Sequence, residues 1–367
     1  MYSPQRGIHD YTTMNVSIID RVPPDMVHLI DPHWYQYAPL PTIWNFSLGT
    51  VMIFLGIIAW CGNGVVVYIF STTRSLRTPS NLLVLNLAFS DFMMMVTQSP
   101  PMIINCFYET WILGPMMCDI YAMCGSFFGC TSIWTMCMIA FDRYNVIVKG
   151  LAGKPMTITG AILKILFIYM FATIWTLAPI FGWNRYVPEG NLSSCGTDFM
   201  NKSWTSKSYI LVYSCFVYYM PLFLICYSYW FIIRTVAAHE KAMRLQAKKM
   251  NVASLRSSED ANKSAEAKLA KVALITISLW FMAWTPYLVI NYIGVFGGPS
   301  LTPLCTIWGS LFAKANAVYN PIVYGISHPK YRAALKEKLP MLVCGETDNA
   351  QSETASQNTT VTADGKA

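Results

Sequence analysis

Apolar residues gather into long runs near 47–70, 82–106, 117–141, 158–181, 208–233, 270–296 and 303–326, separated by shorter polar connections. Each run can cross a hydrocarbon core as a helix, which takes about 20 residues at about 1.5 Å of rise apiece. Seven crossings predict an all-α membrane protein with its two ends on opposite sides. The pattern divides the chain into an N-terminal segment 1–46, a seven-helix bundle 47–327, a short amphipathic helix 328–340 and a polar tail 341–367. The stretch 234–269, rich in Lys, Arg, Ala and Glu, predicts helical extensions of the fifth and sixth spans. After the seventh span, basic and apolar residues alternate at helical spacing, which suits a helix lying on the inner membrane surface. The Ser- and Thr-rich tail from Glu346 is expected to be disordered.

Composition agrees, because 54% hydrophobic against 12% charged residues over 367 positions is far from the balance of a soluble domain. The charges also set the orientation. Arg74, Arg77, Lys149, Lys154, the 234–271 stretch, Lys330, Arg332, Lys336 and Lys338 share the side of the C-terminus, whereas Asp10, Asp20, Asp25, Asp31, Glu109, Glu189 and Asp198 lie opposite. The positive-inside bias therefore puts the N-terminus outside and the C-terminus in the cytoplasm. The net charge of +7 is a topology signal and does not imply nucleic-acid binding. The first thirty residues lack an apolar core, so no cleavable signal peptide is expected and the first span starts insertion itself. Asn15-Val16-Ser17 is a glycosylation acceptor on the outer side; Asn191-Leu192-Ser193 and Asn201-Lys202-Ser203 also match, though a folded loop could bury either.

Most of the eleven cysteines fall inside spans, where a small apolar residue fits. Cys118, at the outer start of the third span, and Cys195, in the outer loop between spans four and five, share an oxidising compartment and are expected to form a disulfide that pins the loop over the bundle. Cys344 is either palmitoylated or free.

Lys314 sits in the middle of the last apolar run, about 15 Å from either end, beyond the reach of a snorkelling lysine stem. An amine at that depth costs roughly 3 kcal/mol or more, which marks a functional group with a partner; a structural ion pair or a water-filled cavity are the alternatives. Other polar groups in the spans are few: Asn63 in the first, Asp91 in the second, Asp142-Arg143-Tyr144 ending the third, Trp284-Thr285-Pro286 in the sixth and Asn320-Pro321-Ile322-Val323-Tyr324 ending the seventh. Together these resemble the rhodopsin-like G-protein-coupled receptors, from about Asn45 to Leu339. Asp142 can hold Arg143 in a local ion pair whose rupture frees a cation at the cytoplasmic face, a two-state element. Pro179, Pro221, Pro286 and Pro321 each remove a backbone hydrogen bond and predict kinks.

Within that class, a lysine six residues before Asn-Pro-x-x-Tyr marks the opsins, and Lys314 and Asn320 have this spacing. The resemblance implies that 11-cis-retinal, or a hydroxylated relative, is bound to Lys314 as a protonated Schiff base. Desolvation makes a neutral amine available to attack an aldehyde, and the protonated imine restores a charge that needs an anion. Vertebrate visual opsins carry that anion as a glutamate three residues after the linked cysteine, where this chain has Tyr121. Glu189, six residues before Cys195, is the candidate counterion, and Asp119 is the other acid to consider. Tyr121 with a loop glutamate, His239-Glu240-Lys241 at the inner end of the fifth helix and His328-Pro329-Lys330-Tyr331-Arg332 after the seventh resemble the rhabdomeric opsins of arthropods and molluscs that couple to Gq. By chemistry alone the two basic motifs are solvated patches suited to anionic lipid.

Overall similarity leans towards arthropod visual opsins of the long or middle wavelength group. In the implied pocket Gly125 and Gly129, four and eight residues beyond Tyr121, leave room for a polyene, and Tyr213, Tyr218, Trp284 and Tyr287 enclose the ring. The implied function is light reception in the rhabdomere membrane. Isomerisation to all-trans strains the pocket near Trp284, shifts the sixth helix about Pro286 and releases Arg143 to a heterotrimeric G protein, so nucleotide exchange is catalysed only in that partner. Ser352, Thr354, Ser356, Thr359 and Thr360 then offer a receptor kinase sites through which arrestin ends the signal. Three rivals differ in what they need. A receptor for a diffusible ligand requires no intramembrane lysine, a retinal photoisomerase should lack G-protein contacts, and a light-driven pump requires a relay of buried carboxylates.

Overall fold

The computed structural model describes residues 16–249, 258–297, 301–327 and 329–342. Asn15, His328, Cys344 and the tail hydroxyls Ser352, Thr354, Ser356, Thr359 and Thr360 lie outside the described residues. Seven spans form the bundle: α1 (Thr42–Thr72), α2 (Pro79–Tyr108), α3 (Gly114–Tyr144), α4 (Ile158–Leu177), a fifth made of α5 (Trp204–Ser214) and α6 (Met220–Lys249), α7 (Ser258–Phe296) and α8 (Pro303–Ser327). Six of them are long and apolar enough to cross a membrane by length and composition. The seventh, α8, is 25 residues long and more polar because it carries Lys314, Asn316 and Asn320, all of which it buries against its neighbours.

Local chemistry sets the ends. Thr78 caps α2 by accepting from the Asn81 amide, with Pro79 in the first turn, where its missing N–H is not needed. Glu109 closes the same helix in the left-handed region at φ 58°. The bundle is built around α3, whose apolar stretch is 61% buried, whereas that of α4 is 17% buried and faces outward. That contrast places α3 residues in the interior and leaves α4 as a peripheral, lipid-facing helix.

Two expectations about the elements change. The fourth helix stops at Leu177, short of residue 181, and Pro179 terminates it in a turn without kinking it. Pro221 follows a wide five-residue turn, Cys215–Tyr219, in which the backbone winds as a π-helix between α5 and α6. Pro286 and Pro321 do lie inside α7 and α8, and α2 carries two further internal prolines, Pro100 and Pro101. Such interruptions persist where neighbouring groups satisfy the freed backbone. The expected extensions of the fifth and sixth spans are present, since α6 continues to Lys249 and α7 begins at Ser258.

The all-α architecture has one addition. Two short antiparallel strands, β1 (Tyr186–Pro188) and β2 (Cys195–Thr197), pair Tyr186 with Thr197, Val187 with Gly196 and Pro188 with Cys195. Cys195 is bonded to Cys118 at the head of α3, so this hairpin is tied down over the bundle. The 3₁₀ turns Ile18–Arg21, Val27–Leu29 and Pro32–Gln36 pack above it, burying Ile18, Met26 and Trp34. At the opposite face, α9 (Pro329–Lys338) lies against α1 through Tyr331, whose ring stacks on Phe70 at 5.7 Å. Burial pushes the Tyr331 phenol up to about 12.

Candidate functional site

One cavity in the half of the bundle nearer the hairpin gathers α2, α3, the hairpin, α5, α7 and α8. Lys314 stands in its wall, 8% exposed, with Nζ donating to Ser310 Oγ at 2.5 Å one turn earlier on α8. Its Nζ also lies 5.6 Å from the centre of the Tyr121 ring. Tyr121 presents an aromatic face to the amine, and its buried hydroxyl has no hydrogen-bond partner among the described residues. It does not line the cavity itself, unlike the other residues expected of the pocket.

Glu189 is not a solvated loop residue. It is 4% exposed because the hairpin folds inward, and both carboxylate oxygens are held: Oε1 accepts from Tyr287 Oη at 2.6 Å and Oε2 from Ser194 Oγ at 3.0 Å. The Glu189 amide donates to the Ser194 carbonyl at 2.8 Å, which fixes the turn. Glu189 and Lys314 both line the cavity, and among the described residues no direct ion pair joins the two. Asp119 is half-buried near the head of α3 and does not line the cavity.

Glycine at 125 and 129 has a packing reason beyond making room. A Cβ at Gly129 would fall 2.7 Å from the edge of the Trp284 indole, and one at Gly125 would fall 2.9 Å from the Gln98 amide oxygen. The two positions let α7 and α2 side chains lie directly against α3 while still opening onto the cavity. Trp284 stacks on Trp280 at 5.4 Å. Tyr213 stacks on Tyr209 at 5.4 Å, and Tyr218, in the wide turn, reaches Thr285 Oγ1 at 2.6 Å beside Pro286.

Sequence reasoning missed Gln98, which donates to the Tyr121 carbonyl at 2.7 Å, as well as Ser310 and the pair Thr197–Asn291 at 3.3 Å. Gln98 and Asn291 are polar residues in otherwise apolar runs, a signal that was available.

The fit to an elongated polyene aldehyde is favourable on chemistry. The cavity offers one buried primary amine and one buried carboxylate among mainly aromatic and apolar walls, with glycines where α3 borders it.

Beyond the cavity, Asp91 accepts from Ser132 Oγ at 2.6 Å and from Asn320 Nδ2. Asn63 Nδ2 donates to the Ala317 carbonyl at 2.8 Å. That carbonyl lies four residues before Pro321, so it is the one whose helical donor the proline lacks. The polar residues of α1, α2, α3 and α8 thus converge around Pro321.

A model of the family "7 transmembrane receptor (rhodopsin family)" matches residues 62–324. Opsin-1 of Manduca sexta is 66% identical over 351 residues, spanning 96% of this chain and 93% of that protein. The long-wavelength rhodopsin of Apis mellifera is 66% identical over 349 residues, 95% and 93% of the two chains. The chain belongs to the rhodopsin family of seven-transmembrane receptors and, within it, to the arthropod visual opsins. A crystal structure of squid rhodopsin superimposes with a TM-score of 0.82 at 36% identity, over 92% of this opsin and 97% of that chain.

The far face of this opsin carries the other motifs. Asp142 and Arg143 form an ion pair in which both side chains are buried. Tyr144 next to them meets Phe231 of α6 edge-on at 6.0 Å, and Lys149 lies over its ring at 5.7 Å. His239 is half-buried on α6, Glu240 and Lys241 are exposed beside it, and Lys330 is exposed on α9. Tyr324 is placed in α8 by its backbone, and its side chain lies outside the described residues.

Proposed function

We propose that this opsin binds retinal covalently through Lys314, with Glu189 as the anion facing the linkage, and signals to a G protein of the Gq class. The observation that carries the reading is a single buried amine, Lys314, in the wall of an aromatic cavity that also holds the buried carboxylate of Glu189. Lys314, Tyr121, Ser310 and Glu189 would hold the linkage, while Gly125, Gly129, Tyr213, Tyr218, Trp284 and Tyr287 enclose the chain and ring. Bound as an imine, retinal supplies the light-absorbing polyene and the shape change on photoisomerisation.

The protein's own groups do the rest. Tyr287 and Ser194 fix the Glu189 carboxylate, and the ring of Tyr121 favours positive charge at the amine without neutralising it. Trp284, seated in the Gly129 notch next to Trp280, is placed to pass a shape change to α7 near Pro286. Arg143, released from Asp142, would meet the G protein beside His239-Glu240-Lys241 and α9. The N-terminal face is outward and the basic face cytoplasmic, in the rhabdomere membrane, with tail phosphorylation and arrestin ending the signal.

Reconstitution with 11-cis-retinal should give a visible absorption band that Lys314→Ala abolishes. A band of unchanged position and size in the variant would overturn the proposal.

A further inference from the structure

We propose that Gly62 is a positioning residue of the light-driven switch, acting through direct contact with the ring of Pro321. The proposal rests on the reading of this opsin as a light-activated receptor that drives nucleotide exchange in a G protein.

Gly62 lies on α1, next to Asn63, and faces Pro321 in α8. A Cβ built on Gly62 would stand 2.8 Å from Pro321 Cγ and 2.9 Å from Pro321 Cβ. Carbon atoms in comfortable contact are about 3.5–4.0 Å apart, so even one methyl group overlaps the ring by roughly an ångström. The pyrrolidine ring cannot swing aside as a flexible side chain would. Relief must come from moving α8 away from α1 or from changing the path of α8 at Pro321.

The neighbouring residue makes that movement consequential. Asn63 donates to the Ala317 carbonyl that Pro321 leaves without its helical donor, and Asn320 is bonded to Asp91. α1 therefore engages the Pro321 turn of α8 at two successive positions: Asn63 supplies the missing hydrogen bond and Gly62 receives the ring. The Asp142–Arg143 pair is closed, which under the proposed function is the resting arrangement. A wedge at residue 62 disfavours this seated proline relative to any arrangement in which α8 has left α1, and so biases the equilibrium towards the signalling form.

Gly64 supplies the control. It is on the same helix two residues away, and a Cβ there meets only the Phe92 ring at 3.7 Å, an ordinary contact. Both substitutions give α1 the same gain in helix propensity, so a difference between them reports the Pro321 contact.

The test is nucleotide exchange in a purified Gq-class heterotrimer, in the dark and after illumination, with wild type, Gly62→Ala, Gly64→Ala, Pro321→Ala and Gly62→Ala/Pro321→Ala, each reconstituted with 11-cis-retinal. Gly62→Ala should raise the dark rate at least about threefold with the visible band unmoved, and Gly64→Ala should match wild type. In the double variant the effect of Gly62→Ala should shrink, because the ring it strikes is gone. Gly62→Ala that behaves like Gly64→Ala overturns the role of Gly62. If Gly62→Ala yields no pigment, recovery of pigment in the double variant over the single one supports the contact, and no recovery overturns it. Absence of light-dependent exchange in the wild type would instead count against the receptor reading, which separates the two failures.

Discussion

Glu189 has two hydrogen bonds inside a buried site, and bonds to a charged acceptor are worth about 1.5–3 kcal/mol each. Losing the charge should therefore matter more than losing either donor. Glu189→Gln, which keeps size and removes charge, is expected to move the absorption band of the retinal-bound protein towards the ultraviolet at neutral pH, because the imine gives up its proton. Tyr287→Phe removes one donor and should shift the band in the same direction by less. A Glu189→Gln pigment with an unmoved band would transfer the counterion role elsewhere. Depth in the last apolar run singles out Lys314 in the sequence, its spacing to Asn320 gives it a role only through the resemblance to opsins, and Glu189 follows from the same resemblance by its place six residues before Cys195. The reason Tyr121 leaves the cavity wall was not accessible that way, because helix rotation decides whether a ring edge or a ring face meets the amine. Ser310 was equally hidden: a serine is common in membrane helices, and only the folded backbone shows its hydroxyl one turn from the amine.

At the scale of elements, apolar run lengths located every span to within a few residues, except where proline chemistry had two outcomes. Pro179 and Pro321 are indistinguishable as letters. One ends α4 and the other stays inside α8, although both freed carbonyls find a side-chain donor: Tyr209 Oη reaches the Trp175 carbonyl at 3.0 Å and Asn63 Nδ2 reaches the Ala317 carbonyl at 2.8 Å. The hairpin escaped notice because strands of three residues carry no usable alternation. For α9, docking rests on Tyr331 against Phe70. Its phenol is raised above the ordinary tyrosine value, so the folded state favours the neutral ring. This stabilisation is complete below about pH 10 and is lost as pH rises towards 12. A tyrosinate absorbance titration in detergent should show a late-ionising group that Tyr331→Phe removes, and the variant should lose the corresponding alkaline weakening of α9. A titration identical in the variant would show that another tyrosine is responsible.

Across the whole molecule, the cavity holding Lys314 and the Asp142–Arg143 pair lie towards opposite faces, joined by α3, α7 and α8, each with polar or proline interruptions between them. The hairpin does a different job. It is bonded to α3 through Cys118–Cys195, braced by Arg185–Asp198 and overlain by the buried Trp34 and Met26 of the N-terminal turns. Small water-soluble nucleophiles should then be slow to reach, from that face, a retinal linkage at Lys314 of the kind proposed. In the dark, hydroxylamine is expected to bleach the wild-type pigment slowly and a Cys118→Ser/Cys195→Ser pigment at least about tenfold faster, about 1.4 kcal/mol in the opening step. Equal rates would mean that the reagent enters by another route. If Lys314 carries the chromophore as proposed, a loop pinned by one covalent bond would set the pigment's shelf life: the lid that brings Glu189 inward would also decide how long the chromophore survives in darkness before a photon arrives.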